Sequence, residues 1–178
     1  MGSIRHTNFL EAVAAAIQHE KDFFDFCLRA YDELSDGPVR DFFYDLAEDS
    51  AEHVRLIEEL YKELSGSPGL PNLKYLGEVY KFQATAIQKL MRRLDRNKQA
   101  NIQKNEIEAL RLAQQEAEDA SHAFEKFSDK FDDIAIKTLF RQMATFNRER
   151  AHMLTGCLVF YQPIALQEKE SYLFPEEE

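Results

Sequence analysis

Laid on itself with a shift of 97 positions, the sequence matches its own second half without a gap. This internal repeat narrows the possible folds more than any other feature. Ala16 falls on Ala113, Asp22 on Asp119, Asp36 on Asp133, Phe43 on Phe140, Ala47 on Ala144 and Glu52 on Glu149. Apolar positions follow: Leu10 with Ile107, Val13 with Leu110, Cys27 with Phe124, Val39 with Ile136, and Ile57 with Leu154. The match is imperfect, since Phe9 falls on Glu106.

The repeated unit reads as a helical hairpin. Apolar residues recur at helical spacing nearly everywhere, and no stretch alternates like a strand. A first helix, over about 7–35 and capped by Thr7, carries Phe9, Val13, Ala16, Phe23 and Cys27 on one stripe. Ser35, Asp36, Gly37 and Pro38 make the turn, and a second helix over 39–65 presents Phe43, Leu46, Ala47, Val54, Ile57 and Leu60. The second hairpin uses helices over 106–130 and 133–162, with Pro163 as the stop and an acidic tail over 163–178. Between the hairpins lies an amphipathic stretch over 73–94 with Leu76, Val79, Tyr80, Ile87, Leu90 and Leu94, then a basic segment over 92–104. Two hairpins joined by one long helical crossover make an all-α four-helix bundle, a single domain over 1–178.

Composition limits the partners. The 22 Lys plus Arg against 32 Asp plus Glu leave a formal net charge of −10, which repels phosphate backbones and anionic lipid. Nucleic-acid and membrane roles are therefore not expected. The longest apolar run, residues 12–17, is far short of the ~20 residues a membrane span needs. The N-terminus has no secretory-signal pattern, so the expected location is cytoplasmic. Cys27 and Cys157 sit among apolar neighbours and read as buried packing thiols.

Two motifs carry a resemblance. Residues 16–26 read Ala-Ile-Gln-His-Glu-Lys-Asp-Phe-Phe-Asp-Phe, and residues 46–53 read Leu-Ala-Glu-Asp-Ser-Ala-Glu-His. With their repeats around Ala113 to Phe124 and Met143 to Arg150, they resemble the rubrerythrin branch of the ferritin-like superfamily over residues 9–162. That resemblance implies a di-iron centre in the bundle core. One Glu would come from each of the first and third bundle helices, and a Glu-x-x-His pair from each of the second and fourth. Residues i and i+3 lie about 60° apart on a helix, so such a pair points into one cavity.

Carried over position by position, the ligand set is largely gone. The first helix keeps Glu20; the second has Ser50 in the Glu position and keeps His53. The third has Ala117, and the fourth has Asn147 and Arg150 in place of Glu and His. A unit charge pair at ~4 Å is worth about 4 kcal/mol at an effective dielectric of 20. Losing three carboxylates and adding a guanidinium thus disfavours two bound cations by more than ~10 kcal/mol.

Three arrangements suit what is left. In the first, Arg150 pairs with Glu20 in mid-bundle while Ser50, Asn147 and His53 satisfy the other donors and acceptors. In the second, one metal is held by Glu20 and His53 with waters. In the third, an organic ligand fills space freed by Ala117 and Ser50, against Phe23, Phe124 and Phe140. His19, His122 and His152 read as surface or helix-edge residues. Asp49, Glu52, Glu116, Glu118 and Glu149 reach the core only after a helix rotation or a one-residue shift in register. Arg92, Arg93 and Arg96 read as a solvated helix end or a contact for an acidic partner chain.

The functional expectation is a ferritin-like protein with a degenerate di-iron site and no catalytic residue, kept as a scaffold. No cofactor is expected. Self-association as a homodimer through the crossover is the simplest partnership, because its apolar stripe needs a surface to cover. The alternative is a rubrerythrin-like di-iron oxidoreductase, handling peroxide or iron with an altered ligand set. Full rubrerythrins also carry a four-cysteine rubredoxin domain that feeds electrons to the irons; two cysteines cannot build one, so such an enzyme needs an external donor.

Overall fold

A computed structural model describes residues 8–83, 91 and 105–173. Among the described residues five helices are bounded: α1 (Phe9–Glu33), α2 (Pro38–Ser65), α3 (Leu73–Gln83), α4 (Glu106–Ser128) and α5 (Ile134–Leu173). The long ones pack as two hairpins, α1 against α2 and α4 against α5, and α5 also touches α1 and α2.

Local chemistry sets most helix ends. Asn8, one residue after the expected cap, starts α1: its Oδ1 accepts the Glu11 N–H at 2.9 Å, and the Glu11 carboxylate accepts the Asn8 N–H at 3.3 Å. Asn72, Asn105 and Asp133 cap α3, α4 and α5 through Tyr75, Glu108 and Ile136 N–H groups. Pro38 opens α2, where its missing N–H has no partner to lose. Gly66 closes the same helix in the left-handed region at φ 69°, donating its N–H to Lys62.

One expectation about the connections needs correction. Pro163 does not end the last helix, which runs on to Leu173. Proline removes one backbone donor but keeps a helical φ, and the helix formers Ala165, Leu166, Gln167, Glu168 and Lys169 resume the spiral after it. The segment to 173 is therefore helix rather than a loosely held arm. The crossover also has a job inside the chain. Residues 11–17 of α1 are buried on every side, and α3 packs on α1 with Leu76 and Val79 in the same apolar cluster as Ala12, Val13, Ala16 and Met91. A helix apolar all round needs cover all round. Leu76 and Val79, two residues of the expected stripe, are therefore covered within one chain; the side chain of Tyr80 lies outside the described residues. Ile87, Leu90, Leu94 and the basic segment 92–104 lie outside the described residues.

The core is divided in two. One apolar cluster gathers the N-terminal half of α1, α3, Phe124 and Phe127 of α4, and Ile136 to Phe146 of α5. The other gathers Phe23 to Ala30 of α1, Val39 to Ala47 of α2, Ala109 to Ala117 of α4, and Ala151 to Leu158 of α5. The buried polar side chains of the bundle's middle lie between them: His19 and Glu20, Ser50 and His53, Glu116, Asn147 and Arg150. Among the described residues no helix is long and apolar enough to cross a membrane.

Candidate functional site: a buried arginine-centred polar layer

α1, α2 and α5 each supply two residues to this layer from adjacent or one-turn-spaced positions, and α4 supplies Glu116, so that helical pitch keeps each helix's contribution together. Arg150 is its centre. The side chain is 0% exposed, among the largest fully buried in the protein, and Glu20 beside it is also 0% exposed. Nη2 of Arg150 lies 2.7 Å from Glu20 Oε2, 3.1 Å from Ser50 Oγ and 3.1 Å from His53 Nδ1. Nη1 donates to Asn147 Oδ1 at 3.2 Å. Below the guanidinium, 4.0 Å from its carbon, lies the Phe23 ring, a cation–π contact on a desolvated charge.

The neighbours are fixed in turn. Asn147 donates its amide to the Met143 carbonyl at 2.8 Å and stands 3.3 Å from His19 Nε2. His53 stacks on Phe146 with centroids 3.9 Å apart. Its Nδ1 lies 3.2 Å from Glu20 Oε2, and its Nε2 lies 3.6 Å from Asp49 Oδ2. Nη2 of Arg150 carries two hydrogens and meets three neighbours, so a His53 tautomer protonated on Nδ1 gives Glu20 its second donor. Asp49, 35% exposed and 3.9 Å from Arg150, is the layer's outlet to solvent.

Electrostatics follow from this geometry. Burial alone pushes the Glu20 carboxyl up; the Arg150 guanidinium, the His53 hydrogen bond and the His19 ring outweigh it and hold Glu20 well below the usual carboxylate range. Burial likewise works against the Arg150 charge, and Glu20 outweighs it, with Glu116 adding to the effect. The Cys27 thiol is pushed far up by its burial, which leaves it an inert packing group. Cys157 is only half-buried, unlike its expected full burial.

The repeat is visible in space. His53 and Arg150 occupy equivalent positions 97 residues apart, and they touch. Asp49 and Phe146 are equivalent too; His53 packs on Phe146 while Arg150 faces Asp49, the same contact made twice with the halves exchanged. Of the six positions singled out from sequence, Glu20, Ser50, His53, Asn147 and Arg150 converge, and Ala117 is buried in the adjoining cluster.

Two residues were misplaced by sequence reasoning. His19 is buried, not at a helix edge, and its repeat equivalent Glu116 is buried as well, with its charge acting on Arg150. The signal was present: positions 19 and 116 match under the same shift of 97, and both carry polar groups where a second buried position on each helix is expected. The layer is therefore richer in carboxylate than a lone Glu20. His122, His152, Glu52 and Glu149 are exposed as expected, and Glu118 is half-buried.

The residues present do not fit a pair of iron ions. Among the described residues no three His, Cys, Asp or Glu side chains converge in a way that could hold a metal ion. The point where Glu20 and His53 converge is taken by a permanently charged guanidinium nitrogen. Compared with known proteins, the chain matches no family model, no curated protein and no solved structure. What stands on geometry is an all-helical bundle of four long helices with an ion-paired polar layer across its middle.

Proposed function

We propose that this chain is a ferritin-like bundle of the rubrerythrin branch whose di-iron centre has been replaced by an arginine-centred ion pair. It acts as a scaffold or interaction protein rather than as a catalyst. The observation that carries this reading is the 2.7 Å contact between Arg150 Nη2 and Glu20 Oε2, both fully buried. In this reading the guanidinium neutralises Glu20, the one carboxylate left at the family's ligand positions, a task the metal ions perform in the family that the sequence resembles. No nucleophile or open metal position is assigned to the layer, because the two terminal nitrogens of Arg150 are directed at Glu20, Ser50, His53 and Asn147.

Elemental analysis of protein purified without chelators, followed by anaerobic Fe(II) loading and oxidation, tests the reading. The expected result is no stoichiometric iron and no near-ultraviolet oxo-bridge absorption. Two irons per chain with that absorption overturn it in favour of a di-iron oxidoreductase with an altered ligand set. The combined variant Ser50→Glu, Ala117→Glu, Asn147→Glu, Arg150→His tests the ancestry: it should fold and acquire two metals. A folded variant that binds none removes the positional argument.

A further inference from the structure

We propose that the polar layer is a binding site for one buried water molecule, held between Arg150 Nε and Glu20 Oε1 as an integral part of the ion pair. This deepens the reading of the layer and rests on the Arg150–Glu20 contact within it.

The pair is bonded through only one atom of each partner. Arg150 Nη2 meets Glu20 Oε2 at 2.7 Å, a single contact rather than the two-point fork that guanidinium and carboxylate can form. Nη1 donates to Asn147 Oδ1, and Oε2 also lies against His53 Nδ1 at 3.2 Å. Arg150 Nε and Glu20 Oε1 are left over. Both atoms are sealed from solvent, and among the described residues neither has a hydrogen-bond partner. Buried atoms of charged groups are rarely left unbonded, because nothing then offsets the loss of their hydration.

The two leftover atoms select their own ligand. Nε carries one hydrogen and only donates. Glu20 is held well below the usual carboxylate range and is ionised at neutral pH, so Oε1 only accepts. A cation on Oε1 stands against the guanidinium, and an anion on Nε stands against Glu20. A small neutral molecule that both accepts and donates suits the two atoms together, and water is the smallest. Nε and Nη2 share one carbon, as do Oε1 and Oε2, so both orphans flank the same 2.7 Å contact. Buried waters make about three hydrogen bonds. Glu116, buried and near enough for its charge to act on Arg150, is a third polar neighbour.

The repeat indicates where the room comes from. Under the shift of 97, Ala117 is the twin of Glu20, shorter by a methylene and a carboxyl group. It is buried in the cluster that holds Phe23, the ring against the guanidinium. The atoms it lacks occupy more than one water's share of liquid volume, about 30 Å³. Asp49, 3.9 Å from Arg150 and partly exposed, gives the site its route to bulk solvent.

A high-resolution crystal structure of the full chain, with oxygen-17 relaxation dispersion in solution, tests the proposal. The map should show one ordered water within about 3.2 Å of both Arg150 Nε and Glu20 Oε1. In solution, wild type should hold one more long-lived water than the Glu20→Met, Arg150→Met double variant, which removes both atoms. Apolar replacement of a whole buried ion pair is often tolerated by a fold. If the double variant does not fold, the wild-type map decides. With the ion pair present, a protein atom bonded to Nε or Oε1, a water on only one of them, no density between them, or equal counts of long-lived water each overturns the proposal. Those results leave the arginine-centred scaffold standing. Metal ions at this position, or Arg150 turned out into solvent, overturn the ion-paired layer and the water site with it.

Discussion

Arg150 and Glu20 stand 130 residues apart in sequence and 2.7 Å apart in the bundle's middle, with neither side chain reaching solvent. Their contact ties the second hairpin to the first across the polar layer. A charge buried in this way is stable only while its partner remains.

Glu20→Ala should therefore destabilise the fold by roughly 3–5 kcal/mol, because it leaves the guanidinium uncompensated. Arg150→Lys should also cost about 2–3 kcal/mol, since an ammonium cannot reach Glu20, Ser50 and Asn147 together or lie flat on Phe23. Urea unfolding monitored by circular dichroism measures both. An unchanged midpoint for Glu20→Ala removes the pairing as a structural element.

Acid should act through the same carboxyl. Glu20 is held below the ordinary glutamate value of 4.5, so its contribution is complete above that value. It is lost progressively as pH falls below 4.5 toward the depressed folded-state value. Stability of wild type minus that of Glu20→Gln, followed by denaturation from pH 7 downward, should be flat at first and then shrink. A difference that grows with acid contradicts the sign.

Glu116 and Glu118 give a contrast on one helix. Glu116 is buried and acts on Arg150, whereas Glu118 is half-buried and faces Gln114. Glu116→Gln should cost about 1–3 kcal/mol, the range for disturbing a buried polar group, and Glu118→Gln should stay within about 0.5 kcal/mol. A double-mutant cycle with Arg150→Met should find coupling for 116 and little for 118. Equal effects at both positions contradict the assignment of Glu116 to the layer.

The crossover makes its own prediction. Leu76 is buried against α1 within one chain, so Leu76→Ala should lose about 2–5 kcal/mol at every protein concentration. If the loss appears only where the chain self-associates, Leu76 belongs to an interface between chains instead.

Much of the molecule was legible in the order of its residues. The shift of 97 gave two equivalent hairpins, and those are the pairs that pack. Ser50 with His53, and Asn147 with Arg150, share a face because one-turn spacing on a helix sets neighbours locally, and the packing of the hairpins brings those faces to Glu20. Glu116 and His19 escaped because adjacent helical residues differ by only about 100°, so a stripe read from sequence is uncertain by one position until the facing helices are in place. Pro163 misled for a different reason: its stop signal is local, and the helix-forming residues after it outweigh one lost hydrogen bond.

The sequence by itself determined the four bundle helices, how they pair into hairpins, and that Glu20 and Arg150 both fall on inward-facing positions, because periodicity and repetition are properties of the chain alone. Only the tertiary structure decided that α3 completes the burial of α1 and that Glu116 joins Arg150. Burial is set by what packs against a residue, and those neighbours come from distant parts of the chain.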